Sequence, residues 1–187
     1  MKTSKQMGFE ILEGNNLKHF GGAYLKKGNP KEKRPVSIKK SMHLVMRSLL
    51  AKGPLSLLKE DKRIQQLIRQ QGQRFRVKIY RIANGGNHLH LIILPRSRVA
   101  FNAFIRSISG LIARLVLGAQ RGDPKLGQNK KNENHRFWEK RPFTRIVEWG
   151  RDYKRACDYL LQNTLEALAF IDYKPRKTRF DPRISTA

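Results

Sequence analysis

The chain has 187 residues, with 40 Lys and Arg against 14 Asp and Glu, for a formal charge of +26. That length supports one domain with a core and falls short of two, and so basic a body gathers polyanions, which makes nucleic acid the leading partner and an anionic membrane the weaker one. No apolar run reads as approaching the roughly 20 residues of a spanning helix and no signal-peptide core opens the chain, so a cytoplasmic protein without a membrane partner is expected; the single cysteine, Cys157, excludes an intrachain disulfide.

Residues 1–37 mix Lys, Gly and Asn with few apolar side chains and read as a flexible basic arm preceding a domain over 38–172. Residues 42–47 form a plausible strand closed by Lys52-Gly53-Pro54. Over 56–70, Leu57, Leu58, Ile64, Leu67 and Ile68 recur at three and four with Glu60 and Asp61 early, which predicts a helix with one apolar stripe. Residues 75–82 alternate apolar with basic, and Asn84-Gly85-Gly86 turns them into 87–94, an antiparallel hairpin. A second helix follows over 99–119, with Phe101, Phe104, Ile105, Ile108, Leu111, Ile112, Leu115 and Val116 on its stripe. Residues 120–139 read as a long basic loop, 143–149 as a fourth strand, 151–170 as a third helix, and 173–187 as a basic tail.

This order predicts an α+β, ferredoxin-like (RRM-like) βαββαβ sandwich with a central four-stranded antiparallel sheet, plus one C-terminal helix. In that plan the first and third strands lie side by side, helices cover one sheet face and the other face stays open. Alternation along 87–94 then sends Leu89, Leu91 and Ile93 under the helices and His88, His90 and Ile92 to the open face. Two polar rings on one face of an apolar strand point to a ligand, since an unsatisfied buried polar group costs roughly 1–3 kcal/mol. A divalent metal is the simplest ligand, although the same spacing occurs in zinc hydrolases, cupins and ordinary strands. Candidates for a third donor are Glu148, Asp158 and the amide of Asn163, whose oxygen suits a hard cation; poverty in Cys and Asp argues against structural zinc.

In the last helix Tyr159 and Asn163 stand four apart, on one face and about 6 Å apart along the axis. Tyr153, the rival phenol, is turned about 240° from Tyr159 and has Cys157 one turn onward. Tyr80 and Tyr173 read as packing or DNA contacts, and His19 and His135 as loop residues without a role. His43 and Arg47 share one face of the first strand and would border the metal site if that face is the open one. Phosphate contacts are expected from Arg74, Arg76, Lys78 and Arg81, from 31–40, and from Lys130, Lys131 and Arg136, beside which Phe137 and Trp138 offer stacking surfaces.

Together, Asn87-His88-Leu89-His90-Leu91-Ile92 and Tyr159-Leu160-Leu161-Gln162-Asn163 resemble the two motifs of the single-tyrosine HUH transposases, including the IS200-like and REP-associated tyrosine transposases. The resemblance covers about residues 40–170. It implies that His88 and His90 are metal ligands with Asn163 as the third, and that Tyr159 is the nucleophile. Where relatives run from that Asn into Pro-Val-x-Ala-Gly, this chain has Thr164-Leu165-Glu166-Ala167-Leu168. A tyrosine with solution pKa near 10 attacks poorly at neutral pH until its target is polarised, so the resemblance implies Mg²⁺ or Mn²⁺ on the scissile phosphate and a covalent 5′-phosphotyrosine intermediate. It further implies a single-stranded or hairpin DNA substrate and a homodimer. Two other readings stay open. A noncatalytic basic nucleic-acid-binding module, either a domesticated transposase or an RRM-like RNA binder, would normally display aromatics where this strand carries histidines. A small zinc hydrolase would need a carboxylate or Cys ligand set.

Overall fold

The computed structural model describes residues 19–22, 33–119, 136–139 and 141–173. In chain order these form β1 (His19–Phe20), β2 (Ser41–Arg47), α1 (Asp61–Arg74), β3 (Val77–Asn84), β4 (His88–Pro95), α2 (Arg98–Leu117), β5 (Phe143–Val147) and α3 (Arg151–Ala167), with two short 3₁₀ turns, Gly53–Leu55 and Leu57–Glu60, ahead of α1. The strands pair into one antiparallel sheet in the order β1-β5-β2-β4-β3, which sets the first and third long strands side by side in its middle.

The two-residue period of β2 and β4 divides the molecule. Met42, Leu44 and Met46 of β2 and Leu89, Leu91 and Ile93 of β4 meet Ile64 and Ile68 of α1 and Phe101, Phe104, Ile108 and Ile112 of α2 in one core. The opposite face is not left open. Ile92, Ala83 and Val147 on that face pack against Ala156 and Leu160 of α3, with Tyr80, Tyr153, Cys157 and Tyr159 around them. The expected bare sheet face is therefore covered in part by α3. The reason is composition: Ala83, Ile92 and Val147 present apolar surface there, and burying it against an amphipathic helix is favourable.

Several boundaries shift for local reasons. The helix expected to begin at residue 56 starts as 3₁₀ turns and becomes α1 only at Asp61. It runs on to Arg74, with Gly72 packed so closely that an added Cβ would stand 2.8 Å from Ile79 Cγ1, and Arg76, in the left-handed region at φ 54°, precedes β3. Within β3 the register slips between Ile79 and Arg81. Tyr80 is the extra residue, and the bulge brings both Tyr80 and Arg81 to the α3 side. Ser97 caps α2 by accepting from Ala100 N–H at 3.0 Å, and Gly118 at φ 63° ends it.

Two expectations need correcting. Residues 19–20 belong to no loop: β1 pairs His19 with Arg145 and Phe20 with Thr144, adding a fifth strand to the four expected. Arg34 secures this edge. It donates to Pro142 O and Thr144 Oγ1, each at 2.8 Å, with its guanidinium 4.5 Å from the Phe20 ring centroid. Residues 1–18 and 23–32 of the expected arm lie outside the described ones. The second correction concerns α2, which is long and apolar enough by length and composition to cross a membrane. Its stripe is spent on the sheet: Phe101, Phe104, Ile108 and Ile112 are fully buried in the main core, so the segment reads as a core helix.

The β3–β4 hairpin that carries the histidines is held by one buried side chain. Asn84 Nδ2 donates to Leu57 O at 3.0 Å and to Asp61 Oδ1 at 2.9 Å, while its Oδ1 accepts from Gly86 N–H at 3.0 Å. Asn84→Ala strands all three partners in a buried turn and is expected to lower the unfolding free energy by about 2 kcal/mol, read from the urea midpoint; a loss under about 0.5 kcal/mol would show that the turn does not depend on it.

Candidate active site

His88 and His90 project from β4 toward α3, as alternation dictates, with ring centroids 4.7 Å apart. His90 is buried and His88 half-buried. Each has its Nδ1 engaged: His90 Nδ1 lies 3.0 Å from His43 Nε2, and His88 Nδ1 lies 2.6 Å from Asn87 Oδ1. A cation would take each ring at Nε2. Partners on the other nitrogen fix ring orientation and tautomer in this way in metal-binding imidazoles.

His43 is thus a backing residue and not a surface contact. It is buried beneath α3 and stacked on His90 at 5.1 Å between centroids. Burial, and then the charge of Arg145, pushes its pKa down to about 4, against an upward pull from Asp152. At neutral pH it stands uncharged beside His90, where one proton serves both rings. Beside its contact with His90, His43 lines a cavity with Arg145, Arg155 and Tyr159.

The helix α3 brings the remaining groups. Tyr159 sets its ring 5.3 Å from that of His90 at 90° and 6.0 Å from that of His43. Asn163, one turn on and buried, donates from Nδ2 to Tyr159 O at 2.6 Å, which fixes the amide with Oδ1 as its other arm. His88, His90, Tyr159 and Asn163 line one cleft of about 530 Å³ together with Arg47 and Glu166. Among the described residues no three His, Cys, Asp or Glu side chains gather as a metal-binding group, and the side-chain amide beside the two imidazoles in this cleft is that of Asn163. Two imidazole nitrogens and one carbonyl oxygen fit a divalent cation that keeps its other positions for water and phosphate.

Gly85 supports this cleft by having no side chain. A Cβ there would lie 2.7 Å from His88 Nε2 and 2.8 Å from its Nδ1, so the imidazole rests where any other residue would put its first carbon.

Other expected residues fall elsewhere. Tyr153 packs against Trp149 and Tyr80, at 5.0 and 5.9 Å between centroids, and lines no part of the cleft. Burial, and then its hydrogen bond to Cys157, holds its phenol above the ordinary tyrosine pKa. Arg47 stands at the cleft mouth and pairs with Glu139 at 3.4 Å. Arg76 and Lys78 line a separate groove with Arg69 and Arg96 beside the β3 edge, and Arg81 is exposed on the same strand. Glu148 pairs with Lys40 and Asp158 is exposed outside the cleft, so neither is the third donor. Phe137 is buried in the main core, while Trp138 packs against it half-buried, its Nε1 donating to Ser109 O at 2.8 Å. Arg136 is exposed, while Lys130 and Lys131 lie outside the described residues. The sequence reading missed Gly85 and Glu166. Glu166 follows Tyr159 by seven and Asn163 by three, a helical repeat that marks the same face.

The family model for IS200-like transposases matches residues 37–161, more than half of the chain. The chain belongs to this family. The match takes in both histidines and Tyr159 and ends two residues before Asn163. No curated protein matches this IS200-like transposase. Among solved structures it is similar to a REP-associated tyrosine transposase bound to a REP hairpin, at 15% identity and a TM-score of 0.55 over 74% of each chain, a likeness of fold. A candidate transposase from Deinococcus radiodurans, also at 15% identity, has a TM-score of 0.38 over 75% of this chain and 98% of its own, which is too low to bear on the fold.

Gly85→Ala tests the cradle. Every atom in the way belongs to a side chain, so the ring is expected to yield before the backbone does. The His88 imidazole resonances should shift well beyond those of His43, with only a small loss in the thermal midpoint. Unmoved His88 signals would show that the ring does not rest on Gly85.

Proposed function

We propose that this IS200-like transposase is a metal-dependent single-stranded DNA endonuclease and strand transferase that works through a covalent 5′-phosphotyrosine on Tyr159. The observation that carries the reading is the meeting of the Tyr159 phenol with both imidazoles and the Asn163 amide in one cleft. Nε2 of His88, Nε2 of His90 and Oδ1 of Asn163 would hold Mg²⁺ or Mn²⁺. Bound there, the ion would polarise the scissile phosphate and offset the charge that builds on its oxygens.

The chain's own groups supply the rest. Tyr159 Oη forms a bond to phosphorus while the bond to the 3′ oxygen breaks; the phenol proton leaves to solvent and the departing oxygen takes up a proton. The new ester conserves the phosphodiester, so a free 3′-hydroxyl can reverse the step and join a different strand without a nucleotide cofactor. His43 and Asn87 keep the two imidazoles from turning, which holds the phosphate in place for in-line attack. Arg47 at the cleft mouth, and Arg76, Lys78 and Arg81 in and before β3, would meet phosphates of the flanking strand.

The REP hairpin on the similar transposase supports hairpin DNA as a partner. With α3 packed on its own sheet, Tyr159, His88, His90 and Asn163 line one cleft within a single chain, which supports a tyrosine acting in cis. The binding-module alternative loses its platform, since the face an RRM-like binder would offer to bases lies partly under α3.

Protein, Mn²⁺ and labelled hairpin DNA with single-stranded flanks should give a protein-linked fragment on a denaturing gel. Tyr159→Phe is expected to abolish the adduct, by a factor of about 10³ or more, and Tyr153→Phe to leave it within about threefold of wild type. Loss of the adduct in the Tyr153 variant alone would overturn the assignment of the nucleophile. Metal-independent binding with no adduct over long incubation would instead favour the binding module.

A further inference from the structure

We infer that the aromatic cluster at the start of α3, with Trp149 as its exposed member, is a stacking site for an unpaired base of the DNA flank. The inference rests on the proposed function for the class of ligand, an unpaired strand, and adds a site whose residues line no part of the cleft.

Trp149 lies between β5 and α3. Its indole Nε1 donates to Lys39 O at 3.0 Å, and its ring centroid lies 5.0 Å from that of Tyr153 and 5.5 Å from that of Tyr80. Three contacts thus fix the ring, and 46% of the residue is still exposed. A side chain already held in one orientation loses little freedom when a ligand covers it, so a flat base gains the stacking without the cost of ordering the indole.

Charge selects a polyanion as the occupant. Lys78 Nζ stands 5.0 Å from the Tyr80 ring centroid, and the β3 bulge brings the exposed Arg81 to the same side of the sheet as the aromatic rings. Lys39, whose carbonyl holds the indole, is exposed as well. The acids next along the chain are engaged, Glu148 with Lys40 at 2.8 Å and Asp152 with Arg145 at 2.9 Å. Aromatic rings set among exposed cations suit a single strand, whose bases stack while its phosphates meet the charges.

The sheet sets the distance to the cleft. Ser41 pairs with Val147 at the aromatic end of β2, and Arg47 pairs with His88 at the cleft end. Six strand steps separate them, roughly 20 Å, so only a flank of several nucleotides spans both sites.

The test uses the full chain without metal and hairpin DNA carrying single-stranded flanks of about ten nucleotides or of about two. Tryptophan emission should be quenched by the long flanks and not by the short ones, and the long-flank DNA should bind tighter by about fivefold or more. Trp149→Leu is expected to lose both the quench and the dependence on flank length, to match wild type on the short-flank DNA, and to keep its far-ultraviolet dichroism; Trp149→Phe should recover part of the affinity. The same dependence on flank length in wild type and Trp149→Leu overturns the inference and leaves the proposed function standing. An equal loss of affinity for both DNAs in Trp149→Leu assigns the indole to holding α3 in place and overturns it too. Wild type with no affinity for either DNA overturns both.

Discussion

Everything in the cleft depends on the period of a single strand. β4 alternates without interruption from His88 to Ile93, so one face delivers Leu89, Leu91 and Ile93 to the main core while the other delivers two imidazoles and Ile92 to α3. Anchoring the apolar face costs the polar face nothing in freedom of register, because a one-residue slip would bury the imidazoles under α1 and α2 and expose three core side chains. The stability of the sheet and the placement of the rings are consequences of the same pairing.

Ile92 links that strand to the chemistry. It is fully buried against Ala156 and Leu160, one step along the strand from His90, and so it seats α3 directly beside the rings. Asn163 then closes the arrangement from the helix side with its bond to the Tyr159 carbonyl. Packing and positioning are inseparable here: the apolar contacts that hold α3 also decide which of its two phenols reaches the imidazoles.

Much of this was legible in the residues. Alternation and turn chemistry located the four long strands and all three helices, since Asn84-Gly85-Gly86 and Gly118 punctuate patterns that change period on either side. The helical repeat set Tyr153 and Tyr159 on different faces, which the structure bears out. What escaped was tertiary. Two residues at 19–20 are too few to show a period, and their pairing with β5 depends on Arg34, far away in sequence. The cover over the histidine face was hidden because a ferredoxin-like plan leaves that face unassigned, and only the match between Ala83, Ile92, Val147 and the stripe of α3 fills it. Phe137 and Trp138 looked exposed because the residues before them are polar, yet aromatic area of that size is more favourably buried. Gly85 read as turn chemistry alone, and its cradle under His88 becomes visible only with the ring in place.

The bulge in β3 has a consequence for how firmly Tyr159 is carried. An unbroken strand can give a neighbouring helix only every second side chain, so the α3 side would receive either an aromatic ring or a guanidinium at this level. By doubling one step, the strand offers both Tyr80 and Arg81, and Tyr80 meets Tyr153 and Trp149 edge-on at the start of the helix. The helix is thereby moored at the end remote from Tyr159 and Asn163, and the footing of the Tyr159 phenol is set by a surplus residue two strands away from the sheet's centre line.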